Sequence, residues 1–131
     1  MPAFIIEKDI DISPLISAFE QFENAYKIAQ SDLEKAGTIQ YFEFTFELTW
    51  KTLKRILKFR GKELNSPRPV FREAALEKLI IDPEIWFSFL IDRNNTVHTY
   101  NKSTADEIYS HLGLFYKEMK AVMLTLKSLK V

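Results

Sequence analysis

TADEIYSHLGLFYKEMKAVMLTLKSL, residues 104–129, is the stretch that decides the fold. Ala105, Ile108, Leu112, Phe115, Met119, Val122, Leu126 and Leu129 alternate steps of three and four, the spacing of one face of an α-helix. Thr104-Ala105-Asp106-Glu107 has the form of a capping box, which would open this helix. Gly113 inside it costs about 1 kcal/mol against Ala, a deficit so long a stripe absorbs. A helix with one apolar face must bury that face against other helices.

Working outward, the upstream chain repeats the pattern. Ser13-Pro14 reads as an N-cap with Pro at the first helical position. Leu15, Ala18, Phe19, Phe22, Ala25, Tyr26, Ala29 and Leu33 then continue one helical face as far as Gly37. Thr38 can cap a second helix carrying Ile39, Phe42, Phe46, Trp50, Leu53 and Leu57, stopped by Gly61. Ser66-Pro67 opens a short third helix through Val70, Phe71, Ala74, Ala75 and Leu79, and Asp82-Pro83 opens a fourth. Four long helices joined by short connections pack as antiparallel neighbours. The expected fold is therefore all-α, an up-and-down four-helix bundle with one additional short helix. Residues 1–12, with Ile5, Ile6, Ile10 and Ile12, form an N-terminal arm, and residues 13–131 form the helical domain.

Composition agrees with a folded domain. Apolar residues make up 47% of the 131 residues, enough for a real core, and three Gly argue against a turn-rich β fold. The absence of Cys excludes disulfides and thiolate metal sites and is compatible with a reducing compartment. The start MPAFIIEK lacks the basic region and long apolar run of a signal peptide, and no apolar segment approaches the ~20 residues that span a bilayer. A cytoplasmic location away from membranes is expected. Eighteen basic residues balance eighteen acidic ones, so no global field draws the molecule to nucleic acid. The region from Lys51 to Arg72 is locally basic, and Lys54, Arg55, Lys58 and Arg72 are candidate RNA contacts there. The simpler account of that run is a solvated helix face.

Chemistry concentrates in Arg93-Asn94-Asn95-Thr96-Val97-His98-Thr99-Tyr100. Arg presents a planar, permanently charged fork to phosphate. His titrates near neutrality and moves protons. The two suit RNA phosphodiester cleavage, with Arg93 and His98 catalytic and Asn94 supporting. No metal and no cofactor is expected. On one ideal helix the two side chains would stand about 140° apart. They could converge if the helix loosens after Asn94-Asn95, or if two copies face each other across a two-fold axis. Trp86, Leu90, Arg93, Val97 and Tyr100 share one face if the helix continues, which lines a charge up with an apolar stripe. Glu47 or Glu43 could supply its partner. His111 lies at the edge of the last helix's stripe and makes no ligand spacing with His98.

The motif resembles the R-x4-H-x-Y signature of HEPN-domain proteins that work beside a minimal nucleotidyltransferase. Gln40–Leu53, Ser66-Pro67-Arg68, Arg72-Glu73-Ala74, Asp92-Arg93-Asn94, His98-Thr99-Tyr100 and Thr104–Tyr109 are similar to the nucleotidyltransferase substrate-binding branch of that superfamily. The resemblance covers about residues 15–125. It implies a helical bundle, a homodimer, and a partner nucleotidyltransferase encoded in the adjacent gene. In the related HepT-type toxins the motif's Arg and His serve RNA cleavage, and the partner antitoxin adenylylates the motif's Tyr. Those roles would fall on Arg93, His98 and Tyr100. The alternative the resemblance leaves open is a non-catalytic adaptor that presents a nucleotide or other substrate to the partner enzyme.

Overall fold

Six α-helices follow a short β-hairpin in a computed structural model that describes residues 2–131. The all-α bundle expected from the stripes is the architecture observed. Strands β1 (Ile5–Ile6) and β2 (Ile10–Asp11) pair antiparallel, joined by a single 3-10 turn. Ile6, Ile10 and Ile12 are buried, and Glu7 N–H donates to the Leu129 carbonyl at 3.0 Å. The arm therefore packs on the C-terminal end of the bundle; its first residue, Met1, lies outside the described residues.

Helix α1 runs Ser13–Ile28 and α2 runs Asp32–Phe59. The break between them falls at residues 29–31, before the predicted Gly37-Thr38 boundary. The reason is a stronger start signal: Ser31 accepts from Glu34 N–H while Glu34 reaches back to Ser31 N–H, a complete capping box. Thr38 becomes an interior residue whose hydroxyl donates to the Glu34 carbonyl at 2.9 Å. Gly37 is thus a helix-interior glycine with open space where a Cβ would sit. Gly37→Ala is expected to raise stability by about 0.5–1 kcal/mol. Chemical denaturation measures it, and a loss of stability would mean that Gly37 terminates a helix after all.

The C-terminus of α2 is closed as expected by Gly61, with φ +87°. Lys62 N–H donates to the Leu57 carbonyl and Gly61 N–H to that of Lys58, the paired bonds of a Schellman motif. Helix α3 (Pro67–Leu76) ends earlier than its predicted limit at Leu79, by the same device. Leu79 N–H donates to the Ala74 carbonyl and Lys78 N–H to that of Ala75, with Lys78 at φ 61°. Leu79 is still buried, which is why the apolar pattern ran through it.

Helix α4 (Pro83–Asn95) is capped by Asp82, whose carboxylate accepts from Glu84 N–H at 2.9 Å. A 3-10 turn over Thr96–His98 follows, so the helix does not continue to Tyr100. Val97 and Tyr100 consequently leave the face of Trp86, Leu90 and Arg93 and stand exposed. Helix α5 (Lys102–Ser110) starts on Asn101, whose side chain accepts from Ser103 and Thr104 N–H. The capping box expected at Thr104 is therefore not the start. A break at His111 separates α5 from α6 (Leu112–Lys127), yet Ile108, Leu112, Phe115, Met119, Val122 and Leu126 are all buried as the stripe requires.

Phe42 and Phe46 of α2, Phe71 of α3, Trp86 and Phe89 of α4 and Phe115 of α6 form one aromatic core. The Phe42–Phe115 ring centroids lie 4.7 Å apart edge-on and those of Phe71 and Trp86 5.3 Å apart stacked. Such pairs add about 0.5–1.5 kcal/mol each beyond area burial. Trp86 and Phe89 anchor α4 two turns and one turn before Arg93, and that fixes where the motif begins.

Candidate functional site

Arg93 leaves the buried face of α4 and meets Glu47 of α2 in an ion pair. Its Nη1 also donates to Asn94 Oδ1 at 3.2 Å, and its guanidinium lies 5.9 Å from the centre of the Phe46 ring. The charge sitting in line with an apolar stripe is thereby answered by a carboxylate one helix away. Glu47 is fixed in turn, because Trp50 Nε1 donates to its Oε2 at 3.1 Å and Lys51 stands 3.8 Å from the same oxygen. Glu43, the other candidate, makes no hydrogen bond or ion pair among the described residues.

His98 sits on the 3-10 turn, exposed, where the loosening after Asn94-Asn95 puts it. Thr96 Oγ1 donates to the Arg93 carbonyl at 2.7 Å and Thr99 Oγ1 to the Thr96 carbonyl at 3.0 Å, which define the turn. The imidazole Nδ1 lies 3.4 Å from the Tyr100 hydroxyl, with the rings edge to face. No hydrogen bond joins His98 to Arg93 among the described residues. Within the chain the geometry therefore leaves a held guanidinium and, apart from it, an exposed imidazole whose partner is the Tyr100 hydroxyl.

Arg72 comes to Arg93 although 21 residues separate them in the sequence. Both line a groove of about 520 Å³ between α3 and the end of α4, together with Ser66, Arg68 and Asn94. Lys54, Arg55 and Lys58 do not line it. They lie 7–11 residues beyond Glu47 on α2, roughly 10–17 Å along the axis at 1.5 Å per residue. The Arg55 charge instead faces the arm, where it helps hold the Asp11 carboxyl below its ordinary value after the dominant hydrogen bonds from Ser13.

Sequence reasoning missed one pairing. Asp92, directly before Arg93, is buried, and both its carboxylate oxygens lie 2.9–3.0 Å from His111 Nδ1. Burial pushes the Asp92 carboxyl above its ordinary value, and the His111 hydrogen bond pulls it back. The pair ties α4 to the break between α5 and α6. An acid on the buried face of Phe89 and Thr96 was the available signal that a partner had to exist.

A second cavity, of about 250 Å³, adjoins Tyr100. Lys35, Thr99, Lys102 and Tyr109 line it with Asp32 and Asp106, and Lys102 is tied to both acids. No helix is long and apolar enough to cross a membrane among the described residues.

The comparisons with known proteins agree with one another. A probable ribonuclease HepT of Haemophilus influenzae is 34% identical over 88 residues, 63% of this chain. The match spans 60% of that relative's own length. A solved structure from Thermus thermophilus superposes with TM-score 0.80 at 32% identity, covering 86% of this chain and 98% of its own. Another, from Haemophilus influenzae, described as the fold of a substrate-binding domain of a nucleotidyltransferase, gives 0.77 at 28% identity over 86% and 96%. The model of the nucleotidyltransferase substrate binding protein-like family matches residues 10–128. With nearly the whole helical bundle inside that match, the chain belongs to the nucleotidyltransferase substrate binding protein-like family.

Proposed function

We propose that this chain is the HEPN-type half of a two-component pair whose other half is a minimal nucleotidyltransferase, and that it is an endoribonuclease toxin. The observation that carries this is a held guanidinium and a solvent-exposed imidazole on one short motif. Glu47 and Asn94 orient Arg93 at the groove, while His98 stands open to solvent five residues on. Membership of the family and the relative named as a probable ribonuclease support it.

His98 removes the proton from a ribose 2′-hydroxyl, and the 2′-oxygen attacks the adjacent phosphorus. Arg93 stabilises the charge that develops on the non-bridging oxygens. The bond to the 5′-oxygen breaks, and that oxygen takes a proton from an imidazolium, leaving a 2′,3′-cyclic phosphate and a 5′-hydroxyl. Acid and base are then two imidazoles, which a homodimer supplies from two protomers. The exposed Val97 beside the motif is an apolar side chain that such a dimer would cover, which supports this arrangement.

Incubation of the purified chain with RNA in the presence of a chelator tests the reaction. Cyclic phosphate and 5′-hydroxyl ends are expected; RNA left intact, or 5′-phosphate ends, would count against it. DNA lacks the nucleophile and resists.

Tyr100 is the proposed control. It is 85% exposed, open to a modifying enzyme, and its hydroxyl is within reach of His98. A nucleoside monophosphate on that oxygen places bulk and negative charge where substrate phosphates must lie. Co-expression with a nucleotidyltransferase should add the mass of at least one nucleotide, and Tyr100→Phe should prevent it. An unmodified wild type, or an adduct that persists in the variant, removes the control. One observation favours a second reading, an adaptor that presents a nucleotide to its partner: the cavity beside Tyr100 with Tyr109 in its wall. Such an adaptor would leave RNA whole yet stimulate nucleotidyl transfer.

A further inference from the structure

Several of the cations that the fold positions are answered by carboxylates. Arg60 is held by Glu7 and Glu77, Arg93 by Glu47, and Lys102 by Asp32 and Asp106. In the cavity beside Tyr100 two lysines meet two aspartates, so no net charge remains. The groove between α3 and α4 differs. Arg68, Arg72 and Arg93 line it, and no carboxylate does. Arg68 and Arg72 have no ion-pair partner among the described residues.

Both of these arginines are nonetheless held in place. The Arg68 and Arg72 guanidiniums lie 5.1 and 5.2 Å from the centre of the same ring, that of Phe87. One ring attracts each cation, but it also brings two like charges within ~10 Å of each other with nothing between them to neutralise. Ser66 adds a hydroxyl at the groove that caps no helix N–H. Arg93 contributes the N–H groups that Glu47 and Asn94 leave free. Planar forks of this kind match the oxygens of phosphate esters. At about 520 Å³ the groove is also of the size that takes a small ligand.

We propose that this groove binds the phosphodiester backbone of the RNA strand beside the cleaved bond, with Arg68 and Arg72 as the phosphate contacts. The proposal rests on RNA being the substrate and adds the path by which the strand reaches Arg93. Arg68 and Arg72 are four residues apart on one face of α3, so successive phosphates can follow the helix toward the motif. Polyphosphate of a free nucleotide shares the chemistry, and the test separates the two.

The full chain is titrated with a short fluorescent oligoribonucleotide carrying 2′-O-methyl riboses, which cannot cyclise, over a range of KCl concentrations. Each lost phosphate contact on a single strand makes the slope of log K against log [salt] shallower by about 0.7. The double variant Arg68→Gln/Arg72→Gln should therefore flatten the slope by about 1.4 and weaken binding by about tenfold or more at low salt. Gln keeps part of the stem over Phe87, and both positions are exposed, so an unchanged thermal melt verifies the fold. Arg68→Lys/Arg72→Lys should recover part of the slope. Equal slopes for wild type and Gln variant overturn the proposal, as does binding of ATP by a chain that binds no oligonucleotide. Cleavage by the Gln variant with an unchanged KM would sink the groove and spare the nuclease. Binding that depends on Arg68 and Arg72 in a wild type that never cleaves RNA would do the reverse.

Discussion

His98→Ala is expected to lower the proposed RNA cleavage by about 10²–10⁴, the contribution of a positioned general acid or base, and to leave stability almost unchanged. The imidazole is exposed and its only partner among the described residues is the Tyr100 hydroxyl, at 3.4 Å. Surface changes of that kind stay within about 0.5 kcal/mol. Rate and stability therefore separate cleanly in this variant, by single-turnover cleavage on one side and denaturant melts on the other. Expressing the wild-type chain alone should restrict growth, and the variant should lift that restriction. In a dimer where both imidazoles act on one phosphate, mixing wild-type and variant protomers reveals the sharing, because heterodimers lose activity together with the variant. A variant that cleaves at the wild-type rate would remove His98 from the chemistry and leave Arg93 as a binding residue only.

The bundle was legible because its stripes are long. Residues 105–129 held their spacing across a helix break that the sequence does not announce, since His111 interrupts the hydrogen bonding without moving an apolar residue off the buried face. Boundaries were legible only where the terminator was conventional. Gly61 and Lys78 close two helices with the same pair of bonds, but only the glycine advertises a left-handed conformation. At the α1–α2 junction two capping residues, Ser31 and Thr38, lay within reach. The Glu three residues after Ser31 decides between them, by supplying the reciprocal bond. Asn101 likewise outranked Thr104, because an Asn side chain there reaches two N–H groups at once. For the site, the Arg93–His98–Tyr100 spacing could be read directly, as could the need of Arg93 for an acid. That Arg68 and Arg72 share its groove, and that His111 closes on Asp92, could not. Those contacts join separate helices, and helical periodicity specifies which face is buried without specifying its neighbour.

Arg93 carries the second large effect. Arg93→Ala should reduce cleavage about 10²–10³-fold, the range for losing one preorganised donor to a developing oxyanion, and Arg93→Lys should recover little of it. The guanidinium is gripped on several sides at once, by Glu47, by Asn94 Oδ1 at 3.2 Å and by the Phe46 ring. A planar fork satisfies these partners and still presents N–H groups to the groove. A lysine has one nitrogen, which Glu47 would claim. Losing the guanidinium takes the ion-pair partner from the buried Oε1 of Glu47, but Trp50 Nε1 and Lys51 remain on its other oxygen and the side chain is 32% exposed. Activity should therefore fall further than stability. Glu47→Gln keeps the shape and drops the charge, so Arg93 loses its fixed orientation and cleavage falls by a smaller factor. With Glu47 acting through Arg93, as the ion pair suggests, adding Glu47→Gln to Arg93→Ala is expected to cost nothing more, a non-additivity that a double-mutant cycle measures. Additive losses would give Glu47 a separate part in the reaction, and full activity in Arg93→Lys would reduce the guanidinium to a simple positive charge.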